Sequence, residues 1–140
     1  MAKKSNRSSR TFAILAAILL FLSALALLGI GLIFLAVAGV VSSTVFAGSA
    51  VFSGVTSMEL YLLGGMAVVL GLLYLVAMVG VLQGRRTYGY LLGVVLTSVA
   101  IAATLLEMAL FSGMAFILAG GLIFPGITLL SLYLARDSFR

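Results

Sequence analysis

Four apolar runs, 11–41, 58–82, 88–111 and 114–135, take up most of this 140-residue chain. Each reaches the roughly 20 residues that a helix needs to cross a bilayer. Inside hydrocarbon a chain must satisfy its own backbone hydrogen bonds, which leaves only helices and closed barrels. Barrel strands would alternate in polarity over about 10 residues, and no such alternation occurs here. The expected fold is therefore all-α: a polytopic membrane protein built as an antiparallel bundle of four transmembrane helices. It forms one domain over 11–136, with a basic tail at 1–10 and a short tail at 137–140.

The charges supply an orientation. All eight basic residues fall in three places: Lys3, Lys4, Arg7 and Arg10 before the first run, Arg85 and Arg86 between the second and third, and Arg136 and Arg140 after the fourth. Cytoplasmic segments carry the excess of Lys and Arg, so both termini and the Arg85-Arg86 turn are expected in the cytoplasm. Only 8% of residues are charged, against about 25% in a soluble domain. A net charge of +5 brings nucleic acid to mind. However, the basic residues flank apolar runs and carry no interleaved aromatic platform on which bases would stack. The bilayer and its anionic headgroups are the expected partner, with no nucleic acid.

The absences narrow the chemistry. With no Cys and no His, the chain has no disulfide framework, thiol nucleophile or imidazole base. Its acids are Glu59, Glu107 and Asp137, too few and too scattered for a zinc or haem ligand set. Met58, Met108 and Met114 gather near two of these acids, and thioethers can hold Cu(I), but without Cys, His or a tight spacing they read as packing residues. No metal, cofactor or catalytic residue is expected.

The small polar residues of 1–10 suggest a disordered tail. A helix over 11–41 would be about 46 Å long, against a hydrocarbon core of about 30 Å, so it must tilt, project or end early. Ala36-Val37-Ala38 resembles a signal cleavage site, yet the apolar stretch before it exceeds a signal h-region of about 7–15 residues, and an uncleaved anchor is expected. The connection Ser42 to Ser57 is uncharged and carries an imperfect repeat, Val45-Phe46-Ala47-Gly48-Ser49 and Val51-Phe52-Ser53-Gly54-Val55. It reads as an outer segment lying at the interface. Short turns at Gln83 to Thr87 and at Ser112-Gly113 make the last three spans antiparallel neighbours.

The third span has the clearest face. Gly89, Gly93, Thr97, Ala100, Thr104 and Glu107 recur at spacings of four, four, three, four and three, which places them on one helical stripe. Small residues let membrane helices approach closely, and hydroxyls can bond across them. A similar stripe in the second span, Gly64, Ala67, Gly71 and Tyr74, is expected to pair with it.

Glu107 is the one ionisable residue well inside a run, and an intramembrane acid is by default a candidate functional group. With Glu59, at the same membrane face, it could share a proton or bind a cation; the alternative has Glu59 solvated and Glu107 bonded to Thr104 or Tyr61. Pro125 interrupts the fourth span and cannot bond the carbonyl of Gly121. Gly121, Pro125 and Gly126 should mark a kink or local unwinding, with Thr128 or Ser131 satisfying the freed group. Broken helices of this sort line transporter sites. Gly29-Ile30-Gly31 has no strand before it and is no dinucleotide fingerprint. The recurrence of Gly31-Leu32-Ile33-Phe34 as Gly121-Leu122-Ile123-Phe124 spans too few residues to establish an inverted repeat.

Gly84-Arg85-Arg86-Thr87-Tyr88-Gly89-Tyr90-Leu91-Leu92 and the close Leu132-Tyr133-Leu134-Ala135-Arg136-Asp137-Ser138-Phe139-Arg140 resemble small four-span prokaryotic membrane proteins of unassigned activity, over the C-terminal half. The resemblance implies a prokaryotic plasma membrane and supplies no catalytic residues. Small multidrug transporters also have four spans, but their essential acid lies in the first, where this chain has none. The sequence therefore points to a non-enzymatic accessory, assembly or structural subunit, working as a homo-oligomer or within a larger membrane complex. The alternative is a small oligomeric transporter or ion conductor using Glu107 with Thr97 and Thr104.

Overall fold

The structure, a computed structural model, describes residues 2–41, 57–110 and 115–139, and within them the side chains of all but 2–6, 41, 57, 107, 110 and 115–120. Nearly all of these residues are helical, with no strand among them. Helix α1 spans Ala2–Val41, α2 Ser57–Leu82, α3 Leu92–Leu110 and α4 Ala115–Leu134. A π-helical turn, Arg86–Leu91, leads into α3, and a 3₁₀ turn, Arg136–Ser138, follows α4. Three segments are long and apolar enough to cross a membrane, Arg7–Val40, Met58–Leu82 and Arg86–Leu106, and Gly121–Leu134 forms a shorter apolar helix. The Ser42 connection with its repeat up to residue 56, the Ser112-Gly113 turn and Met114 lie outside the described residues.

The expectation of a disordered N-terminal tail is corrected: α1 is helical from Ala2. Helix propagation is far cheaper than nucleation, so the apolar helix extends into its polar leader. The Thr11 hydroxyl donates to the Arg7 carbonyl at 3.0 Å, and buried Ser9 is hydrogen-bonded to Ser138. At 40 residues, α1 is about 60 Å long, so it neither ends early nor fits within the hydrocarbon.

The turn after α2 has a local cause. Gly84, at φ +67°, takes the left-handed conformation that glycine adopts without penalty. Its N–H donates to the Val81 carbonyl at 3.1 Å, and the Arg85 N–H reaches the Gly80 carbonyl at 2.9 Å. These two bonds make a Schellman cap that satisfies the last carbonyls of the helix. The Tyr90 N–H then bonds the Arg85 carbonyl at 3.2 Å, five residues back, which is the wide spacing of a π-turn.

The chain divides into two compact units, Ser23–Leu73 and Met1–Leu22 with Tyr74–Arg140. In the first, α1 and α2 run in opposite directions over glycine contacts. A Cβ on Gly31 would lie 2.9 Å from the Gly64 carbonyl oxygen, and one on Gly64 2.9 Å from the Gly31 oxygen. Further along, a Cβ on Gly71 would meet Leu28 Cγ at 2.8 Å and the Ala24 oxygen at 3.2 Å.

The second unit has a core of small and aliphatic residues: Ala13, Ala16, Ala17 and Leu20 of α1, Ala77 and Val81 of α2, Leu96 of α3, and Leu132 with Ala135 at the end of α4. The α1 members fall at positions i, i+3, i+4 and i+7, one helical face. Gly93 of α3 takes the side chains of Leu132 and Leu20, whose methyls lie 3.2 and 3.5 Å from where its Cβ would be. At Gly80 and Gly89 backbone meets backbone. A Cβ on Gly80 would stand 2.6 Å from Gly89 Cα, and one on Gly89 2.4 Å from the Gly80 carbonyl carbon.

Candidate functional site

The third-span stripe is largely a packing surface. Gly89 and Gly93 are buried against neighbours, and Thr97 is fully buried. The Thr97 hydroxyl donates to the Gly93 carbonyl at 2.7 Å and that of Thr104 to the Ala100 carbonyl at 2.9 Å. Each hydroxyl is thus turned back onto its own helix. Ala100 and Thr104 are half-buried.

The expected pairing of the two stripes is corrected. Gly64 and Gly71 pack on α1, through Gly31, Leu35, Leu28 and Ala24, and Ala67 is half-buried on the same helix. Gly89 takes Gly80 as its partner, a residue that sequence reasoning missed. Tyr74 alone follows the expectation, its hydroxyl donating to the Leu96 carbonyl of α3 at 3.1 Å. The signal for Gly80 was available: it and Gly89 flank the Gly84 turn at similar distance, where two helices leave a tight connection at closest approach.

Glu59 is exposed in the first turn of α2, and the Glu107 side chain lies outside the described residues. Helix α4 is continuous through Pro125, so of the expected kink or local unwinding, the unwinding does not occur. Thr128 and Ser131 do not serve the carbonyl freed by Pro125. Their hydroxyls bond the Phe124 and Ile127 carbonyls at 2.9 and 2.8 Å. Gly121 and Gly126 have nothing within 4 Å of a Cβ position. No group of three or more acidic, His or Cys side chains that could hold a metal occurs among the described residues.

The polar chemistry gathers elsewhere, around Ser138. Ser138 is hydrogen-bonded to Ser9 of α1, and its carbonyl oxygen lies 3.4 Å from a Cβ position on Gly84. One end of this unit therefore collects Arg7, Arg10, Arg85, Arg86 and Arg136, all exposed. A cleft of about 420 Å³ opens there, lined by Arg86, Tyr90, Arg136, Asp137 and Phe139. Arg86 and Tyr90 come from the π-turn and the rest from the C-terminal segment. The Tyr90 and Phe139 rings pack 5.2 Å apart at 37°. Arg136 lies over the Tyr133 ring, 5.0 Å from its centroid, donates to the Tyr133 hydroxyl at 3.3 Å, and approaches Asp137 at 3.6 Å. That ion pair is exposed on both sides and holds Arg136 only weakly.

Comparison with family models, curated proteins and solved structures finds no match to this chain.

Proposed function

We propose that the chain is a four-span antiparallel membrane bundle that serves as an accessory, assembly or structural subunit, acting through helix packing and without catalysis. Both termini and the Arg85-Arg86 turn face the cytoplasm of a prokaryotic plasma membrane. The partners are a second copy of the chain or a larger membrane complex. One observation carries the reading: the hydroxyls of Thr97, Thr104, Thr128 and Ser131 all bond carbonyls of their own helices. The described spans thus offer close-packed glycine contacts and no exposed line of polar groups. The meeting of the three basic segments around Ser138 supports the orientation, since the positive-inside rule wants them on one side.

Mild-detergent extraction followed by native mass measurement tests the role. The expected particle is an oligomer or carries a co-purifying membrane protein; a strictly monomeric, unaccompanied particle would count against it. Liposome flux tests the transport alternative. Native chain, Glu107→Gln and empty liposomes should leak equally, and flux that only Glu107→Gln abolishes would replace the packing role with conduction.

A further inference from the structure

We infer that the cleft between the π-turn and the C-terminal segment binds a phosphate group, and specifically the phosphodiester of an anionic lipid headgroup. Its lining combines two guanidinium groups, Arg86 and Arg136, with the packed rings of Tyr90 and Phe139. Guanidinium matches phosphate oxygens through paired N–H donors, while aromatic rings favour the level of the headgroups. The π-turn sets the register, because it carries Arg86 and Tyr90 into the cleft from one wide helical turn. Such turns recur at functional sites.

Charge favours an anion over a zwitterion. Among the described residues the cleft holds two arginines, Arg86 and Arg136, against one carboxylate, Asp137, and Arg85 adds to the field from beside it. Asp137 is the opposing group: it competes with phosphate for Arg136. The lipid source is favoured over free phosphate because the cleft sits where α3 begins and α4 ends, next to the apolar segments Arg86–Leu106 and Gly121–Leu134. The proposal rests on the reading that these helices cross the bilayer.

The test uses the full chain in nanodiscs of phosphatidylcholine with a minority of phosphatidylglycerol. Native mass spectrometry reads the lipids retained after ejection. The native chain should retain phosphatidylglycerol in preference to phosphatidylcholine. Each of Arg86→Gln and Arg136→Gln should lower that preference about fivefold, the worth of one basic residue near an anionic surface. Asp137→Asn should raise it, a gain that damage to folding would not produce. Arg10→Gln, at the same end but outside the cleft, should change it less than Arg86→Gln. Equal retention in all variants, or an Arg10→Gln loss as large as that of Arg86→Gln, would overturn the cleft in favour of a diffuse basic surface. Displacement of the lipid by inorganic phosphate at millimolar concentration would overturn the lipid source. Failure of the membrane reading looks different, since the chain would then not travel with the nanodiscs at all.

Discussion

Alanine at Gly80 or Gly89 should be the most damaging single-methyl addition in the described helices. A Cβ on Gly89 would fall 2.4 Å from the Gly80 carbonyl carbon and 2.6 Å from its oxygen; one on Gly80 would fall 2.6 Å from the Gly89 nitrogen and Cα. Carbon pairs settle at about 3.5–4.0 Å, so the two backbones must part by about 1 Å. No rotamer change can absorb this, because every atom in the way is backbone. The two residues also bracket the Schellman turn, which anchors both helices nearby and opposes their separation. Overpacking of this kind costs about 1–3 kcal/mol, and the rigid setting places it at the upper end. The better helix propensity of Ala returns about 0.5–1 kcal/mol. The net loss is about 2 kcal/mol, roughly a thirtyfold drop in the folded-to-unfolded ratio. Gly65→Ala is the control: nothing lies within 4 Å of its Cβ position, so only the propensity gain remains. Reversible unfolding in mixed micelles, followed by circular dichroism, measures all three. If Gly80→Ala and Gly89→Ala unfold at or above the native midpoint, the backbone contact is not a determinant of stability and the reasoning fails.

The other glycine contact should grade by what can yield. Gly31→Ala and Gly64→Ala face carbonyl oxygens at 2.9 Å and should cost more in the same unfolding assay than Gly71→Ala, whose two nearest neighbours belong to the Leu28 side chain; equal losses would contradict this. Tyr74→Phe removes the bond to the Leu96 carbonyl and should cost about 0.5–1.5 kcal/mol, with an unchanged midpoint as the contrary result. Single-cysteine labelling checks topology against a background free of native Cys. An impermeant thiol reagent should label Ser49→Cys in intact cells and leave Thr87→Cys untouched until the membrane is broken. Labelling of Thr87→Cys in intact cells would overturn the orientation.

The helices were legible because composition dominates them. The second and fourth apolar runs, 58–82 and 114–135, match α2 at Ser57–Leu82 and α4 at Ala115–Leu134 to within a residue at each end. Hydrophobic length alone sets such bounds in a membrane chain. The same composition hides partner choice. A helix that is apolar all round has little amphipathic signal, and lipid is as apolar as a neighbouring helix, so close fit selects the partner. Reading the stripes alone matched Gly64 and Gly71 with the third span, whereas the fit of Gly64 to Gly31 and of Gly71 to Leu28 gives them to α1.

The sequence by itself determined the helical class, the apolar segments and the separation of basic residues into three groups, since each follows from local hydropathy and charge. Tertiary structure alone decided that Gly80 meets Gly89, that Ser9 reaches Ser138 and so draws the N-terminal helix against the C-terminal turn, and that Arg86 and Tyr90 share a cleft with Arg136 and Phe139. Those pairings join residues far apart in the chain through shape and register, which no local property of either segment encodes.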